Sequence, residues 1–220
     1  MNKMEAIQAR HSVRQYLDTP IQPELAQQLQ QEVTACNQEG RLNIQLIFDD
    51  PRPFDCLIAK YGKFKGVRNY LVMAGEDADD LDERCGYYGE RLVLLAQRLG
   101  LNTCWVALTY KKVSDVMDLP EGQRLVLVIA LGYGVNQGKP HKSKEPEKVS
   151  SCKYVAPWFM SGVKAALLAP TAMNQQRFKL ICEGSKVRAI AQRGPYTKVD
   201  LGIVKYHFEV GSGKDSSIWA

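Results

Sequence analysis

The stretch "GYYGERLVLLAQRLGLNTCWVAL", Gly86 to Leu108, decides the fold. With Leu81 and Cys85 just ahead of it, Tyr88, Leu92, Leu95, Ala96 and Leu99 make one apolar stripe at helical spacing. The acidic patch Glu76 to Glu83 sits at the front, where it complements the helix dipole, and Gly100 sits where a C-terminal cap belongs. "NTCWVAL" then reads as an extended segment. A long one-faced helix running into a strand needs a sheet to cover.

Further out, the other pieces follow. "NYLVMAG" from Asn69 and "RLVLVIALG" from Arg124 read as strands, the second central. "LNIQLIF" alternates, putting Leu42, Ile44, Leu46 and Phe48 on one face. A short helix is expected over Lys3 to Ala9, with Met4 and Ile7 inward. A second starts near Pro23 and stops before Gly40, with Leu25, Leu29, Val33 and Cys36 in phase. "VSDVMDLPEG" reads as a short helix and turn. "YGVNQGKPHKSKEPEKVSS" is polar, basic and linker-like. Beyond it come a helix from Trp158 to about Ala169, strands at "RFKLICE" and "KVRAIA", and a last helix over Asp200 to Val210, with Gly211 beyond. The turns "TACNQEGRLNIQLI" and "LLAPTAMNQQRFKLI" rhyme weakly, a hint of an internal repeat. The order predicts an α+β class, helices covering a mixed, mainly antiparallel sheet.

Composition removes several functions. The 220 residues suffice for one large domain or two small ones. The longest apolar run, Leu125 to Leu131, is far too short for a membrane span, and "MNKMEAIQARHSVRQY" lacks the apolar core of a signal peptide. A cytoplasmic location is the default expectation. The six cysteines form no C-x-x-C pair and are expected as reduced, mostly buried thiols. The three histidines form no metal-binding pattern, and G-x-S-x-G is absent, so neither a metal site nor a Ser-His-Asp triad is expected. A net charge of +5 is modest; its gathering around Arg10 to Arg14 and Lys139 to Lys148 suits a phosphorylated small ligand better than a long nucleic-acid groove, or is a merely solvated basic surface.

Two basic clusters remain. In "ARHSVRQY", Arg10, His11, Ser12 and Arg14 fall within five residues. Two guanidiniums and a hydroxyl that close can grip one phosphate, or Ser12 can simply cap a solvated helix end. In "GKPHKSKEPEK", Lys142 and Lys144 flank Ser143. Extended backbone would point both ammonium groups at one anion, or the segment is a solvated loop. "GYGVNQG" has the wrong spacing for a dinucleotide fingerprint.

Four motifs together resemble the nitroreductase superfamily of flavoenzymes. They are the long helix with "LGL" and "TCWV"; "RHSVRQY", similar to an R-x-S-x-R-x-[FY] opening; "APTAMNQQRF", similar to A-P-S-x-x-N-x-Q-P-[WF]; and "LGYGVNQGKPHKSK", similar to a late G-Y-P strand end followed by basic residues. The resemblance implies an FMN-binding fold that uses NAD(P)H. Arg10, Ser12 and Arg14 would hold the phosphate and ribityl chain with His11 beside them, and Lys142 and Lys144 would close on the phosphate. The backbone at Trp105, Val106 and Ala107 would pass the reactive edge. Lys63 would approach the pyrimidine edge. Pro170, Thr171 and Asn174 would line the ring.

The resemblance implies ping-pong hydride transfer through FMN N5 to a nitroaromatic, a quinone or a similar small acceptor, with no side chain required as acid or base. A flavin-binding protein without turnover, for storage or sensing, is the alternative. One departure stands out: the A-P-T-x-x-N motif follows residue 168 instead of the second helix, which resembles a subgroup with that motif relocated. The expectation is a half at 1–150 with the phosphate site, and an abbreviated half at 151–220 that completes it. A pseudo-dimeric monomer or a homodimer would result, with no nucleic-acid or membrane partner. Arg177 stands where the motif has proline and reads as a surface residue or a contact for an acidic group.

Overall fold

A computed structural model describes residues 1–117, 119–154 and 156–220. Eight α-helices and seven strands occur among them, in the order α1 (Lys3–Ala9), α2 (Pro23–Gly40), β1 (Gln45–Ile47), α3 (Leu57–Tyr61), β2 (Asn69–Glu76), α4 (Leu81–Arg98), β3 (Asn102–Val106), α5 (Ser114–Met117), β4 (Gln123–Gly132), α6 (Pro146–Val149), β5 (Ser150–Cys152), α7 (Pro157–Ala166), β6 (Phe178–Glu183), β7 (Lys186–Ala191) and α8 (Thr197–Ser212). The turn expected within "VSDVMDLPEG" includes Asp118, which lies outside the described residues. The chain forms two compact units, each discontinuous in sequence. One comprises Arg10–Leu81 and Leu92–Lys139, the other Met1–Ala9, Asp82–Arg91 and Pro140–Ala220.

The first unit holds an antiparallel sheet of order β1-β2-β4-β3. β4 is apolar on both faces because both are covered: Val128 and Ala130 join Tyr70, Val72 and Cys104 in one cluster, and Leu131 joins Leu29, Ala96 and Leu101 in another. The edge strand β1 is shorter than the alternation of "LNIQLIF" implies. The Asn37 side chain takes both main-chain groups of Ile44, at 2.7 and 2.9 Å, which removes that residue from the ladder. Phe48 is 39% exposed.

The second unit has a three-stranded sheet, β5 parallel to β6 and β6 antiparallel to β7, with α7 and α8 packed together. Part of the linker-like stretch is therefore structured, as α6 and β5. The last helix is longer at both ends than expected. Gly211 stays helical because its missing Cβ leaves room for Ala165 and the Ser161 carbonyl, and the helix stops at Gly213, at φ 66°. Gly86 and Gly202 let α4 and α8 cross with main chain against main chain. A Cβ at either would lie 2.0 Å from a carbonyl oxygen of the other helix. Buried beside this crossing, His207 Nε2 meets Glu90 at 2.8 Å and Nδ1 meets the Ala165 carbonyl at 3.1 Å.

Candidate functional site

The opening segment Arg10 to Tyr16 is threaded through the first unit and pinned by its main chain. Ser12 lies opposite Thr103 on the free edge of β3, Gln15 opposite Lys65, and Tyr16 opposite Gly134. Val13 donates to Thr103 at 3.0 Å, Tyr16 to Lys65 at 2.9 Å, Lys65 to Arg14 at 3.0 Å and Val135 to Gln15 at 2.9 Å. Two glycines make room for it. A Cβ on Gly66, at φ 72°, would sit 2.4 Å from the Tyr16 carbonyl oxygen, and one on Gly138, at φ 71°, would sit 2.7 Å from His11. "GYGVNQG" is thus a backing for the opening segment. Tyr16 is locked below, its hydroxyl donating to the Val13 carbonyl at 2.7 Å, and burial pushes its titration well up.

With the main chain doing the holding, the side chains of this segment converge on β3. Burial pushes the Cys104 thiol up, while the charges of Arg14 and Arg10 and a hydrogen bond from Ser12 pull it down. Arg10 is buried, and the exposed Arg14 lies over the Phe64 ring at 5.9 Å. Because the Thr103 carbonyl points away from β4, the alternation of a strand turns the N–H and C=O of Trp105 toward the same edge.

Beside this segment opens a cavity of about 770 Å³. Lys60, Lys63, Lys65 and Arg68 line it with Phe54 and Phe64, against the acids Asp18 and Asp55. Its size lies inside the ~300–1,000 Å³ range of small-molecule sites. Lys63, exposed and at φ 63°, lines this cavity; the cluster with Lys60, Lys65 and Arg68 was not legible in the sequence.

Lys142, Lys144, Pro170, Thr171 and Asn174 lie in the second unit, where most of them form a separate structure. A turn of 3-10 helix, Ala172–Asn174, follows Pro170, with Met173, Asn174 and Gln176 at φ 51°, 53° and 46°. Gln176, 2% exposed, is the hub. Its side chain donates to the Lys142 carbonyl at 2.8 Å and to Asn174 at 2.7 Å, and accepts from the Lys144 N–H at 2.8 Å. Its own N–H donates to the Thr171 hydroxyl at 3.1 Å. Asn174 donates to the Lys142 carbonyl, and the Lys144 ammonium donates to the carbonyls of Gln175 and Gln176 at 2.8 and 2.9 Å. The Lys144 charge is thus committed to the turn, while Lys142 is exposed.

Asp200 closes the far side of this turn, accepting from the Ala172 N–H and the Gln175 amide, each at 2.8 Å. Burial pushes its titration up to about 6 against the pull of those two donors. The sequence marks Gln176 as part of the polar turn but gives no sign that it is the hub, and Asp200 was not singled out. An acid inside the apolar "KVDLGIV" was the available signal. Arg177 is exposed and donates to the Arg193 carbonyl at 2.8 Å.

Comparison with known families bears on both regions. Residues 2–212 match the family described as "Putative TM nitroreductase". The chain belongs to this family. Nitroreductases are oxidoreductases, and the protein is an enzyme of that kind. Its α+β fold is similar to that of a "putative nitroreductase" from Thermotoga maritima, at 22% identity over 96% of this chain and 83% of that one, with a TM-score of 0.68. It is also similar to an FMN-dependent nitroreductase from Clostridium difficile, at 15% identity over 62% of this chain and 90% of that one, with a TM-score of 0.51. An NADPH:FMN oxidoreductase from Vibrio harveyi, complexed with NAD+, matches at 18% identity over 66% of this chain and 73% of that one, with a TM-score of 0.51. No curated protein shows significant similarity. Among the described residues no helix is long and apolar enough to cross a membrane, and no group of three or more His, Cys, Asp or Glu could hold a metal ion.

Proposed function

We propose that this nitroreductase-family protein binds FMN at the opening segment and the cavity beside it, and that it takes electrons from NAD(P)H to reduce a small oxidised acceptor such as a nitroaromatic or a quinone. The observation that carries the reading is the Arg10–Tyr16 segment pinned along the free edge of β3, with Arg14 over Phe64 at the wall of a cation-lined cavity of about 770 Å³. That donor set suits a phosphate ester carried on a flat, partly apolar ring.

In this reading Arg10, Ser12 and Arg14 hold the phosphate and ribityl chain, with His11 packed on Gly138 beside them. Lys63 places positive charge at the pyrimidine edge, where it stabilises negative charge on the ring. The outward main chain of Trp105, with Val106 and Ala107 after it, faces the reactive edge. When bound, FMN supplies the two-electron redox chemistry. The chain binds and orients; no acid or base is assigned. Donor and acceptor occupy one place in turn, the ping-pong pattern.

For Lys142, Pro170, Thr171 and Asn174 we keep the role their motif implies, contact with a flavin, with Lys144 acting through the turn it ties down. The double variant Thr171→Ala, Asn174→Ala is expected to weaken FMN binding and, because both side chains also tie the turn, to lower the unfolding midpoint without loss of the fold.

The purified protein is expected to carry one FMN per chain, seen as flavin absorbance bands that NADH or NADPH bleaches under anaerobic conditions. A colourless protein that takes up no added FMN contradicts the reading. Flavin that neither nucleotide bleaches contradicts the electron-transfer part alone.

A further inference from the structure

Two cysteines outside the candidate flavin site are placed as a pair. Cys152 ends β5 and Cys182 lies on β6, and the two are direct partners in the parallel register, as are Ser150 with Leu180 and Ser151 with Ile181. Register partners on neighbouring strands point to the same face, with the strands about 4.8 Å apart. That spacing lies inside the ~4.4–6.8 Å between Cα atoms that a disulfide spans. The Cys152 thiol donates to the Tyr154 carbonyl and the Cys182 thiol to the Gly184 carbonyl, each two residues on in its own segment. Both are reduced and partly exposed, whereas Cys36, Cys85 and Cys104 are buried and Cys56 belongs to the other unit.

The surroundings favour redox chemistry over metal binding. The pair offers two sulfurs, short of the four ligands of a closed structural zinc site, and no third His, Cys, Asp or Glu joins them among the described residues. The thiols differ in character. Burial first, and then the neighbouring Cys152, push Cys182 up to about 11, so Cys182 keeps its proton and suits the second, resolving position. Cys152 donates to the Tyr154 carbonyl at 2.9 Å, at the end of its strand.

We propose that Cys152 and Cys182 form a reversible dithiol–disulfide couple that a hydroperoxide oxidises. The Cys152 thiolate attacks one peroxide oxygen, the O–O bond breaks, and Cys152 becomes a sulfenic acid as water, or an alcohol from an organic peroxide, leaves. The Cys182 sulfur then attacks the Cys152 sulfur, a second water leaves with the Cys182 proton, and the S–S bond forms. Two thiols lose two electrons and two protons, and hydrogen peroxide becomes two waters. A dithiol such as dithiothreitol reverses the bond by exchange and is itself oxidised to its cyclic disulfide. The oxidised form ties β5 covalently to β6, a restraint on the segment that runs on from Lys142 and Lys144.

The test uses the full-length protein treated with a small excess of hydrogen peroxide. Free thiols are then alkylated, and the protein is digested without reductant for mass spectrometry. The expected product is one linked peptide pair joining Cys152 to Cys182, two hydrogens lighter than the sum of its parts and lost on adding dithiothreitol, with Cys56 still alkylated. Linkage between differently isotope-labelled copies of the chain, or full alkylation of both cysteines after peroxide, overturns the proposal. In Cys182→Ser, dimedone is expected to trap a sulfenic acid on Cys152. In Cys152→Ser, a dimedone adduct on Cys182 overturns the order of attack.

Discussion

The opening segment and the relocated turn are both polar, both tightly held, and held by opposite means. Arg10 to Tyr16 is fixed by main-chain bonds to β3, to Lys65 and to the end of β4. Pro170 to Gln176 is fixed by side chains: the Gln176 and Asn174 amides, the Thr171 hydroxyl, the Asp200 carboxylate and the Lys144 ammonium all bond within it. Substitutions should therefore separate binding from folding in the first region and confound them in the second.

The largest expected effect strikes the main-chain anchor of the first region. Gly66→Ala adds a Cβ 2.4 Å from the Tyr16 carbonyl at a φ of 72°. It is expected to cost about 3 kcal/mol or more, a steric clash added to left-handed backbone strain. Urea unfolding measures it, and an unchanged midpoint would show that the segment is not clamped there.

Next comes the hub of the second region. Gln176→Ala deletes three side-chain hydrogen bonds at a buried position and leaves the Lys144 N–H without its acceptor. About 2–3 kcal/mol of stability should go, the usual penalty for stranded buried polar groups. Lys144→Ala should lose less, because that side chain reaches the turn from an exposed position.

Acid titration sharpens the contrast further. The folded state holds the Asp200 proton up to about pH 6, above the ordinary carboxylate value reached in the unfolded chain. Between about pH 4 and pH 6 the native state therefore binds more protons, and stability falls as pH rises, by about 2 kcal/mol from this group. Asp200→Ala should flatten that part of the stability curve, whereas an unchanged slope would remove Asp200 as its source.

The smallest effect on the fold belongs to the first region's own charges. Arg14→Ala should weaken FMN binding about tenfold, the loss of one charge-assisted contact, and leave the unfolding midpoint nearly unchanged because Arg14 is exposed. Fluorescence titration of the apoprotein with FMN reads the first quantity. A large loss of stability in this variant would erase the distinction between the two regions.

Much of this was legible beforehand. The stripe on α4, the caps around it and the long apolar β4 announce themselves through period and composition, because burial of one face imposes a repeat on the sequence. α1 and α2 fall where their apolar phase and Pro23 put them. The shortened β1 was not legible, since only the fold brings the Asn37 amide to Ile44. Nor was the extension of α8 through Gly211, which depends on Ala165 filling the space of an absent side chain.

By itself, then, the sequence determined the α+β class, the motifs of the nitroreductase family and the basic and hydroxyl side chains clustered at Arg10, Ser12 and Arg14. Those are local matters of periodicity and side-chain chemistry. The tertiary structure alone decided that Lys144 is committed to a turn, that Gln176 and Asp200 hold that turn, and that Cys152 stands beside Cys182. Each of these joins residues about thirty apart along the chain, and no local pattern records which strand or turn will be brought alongside.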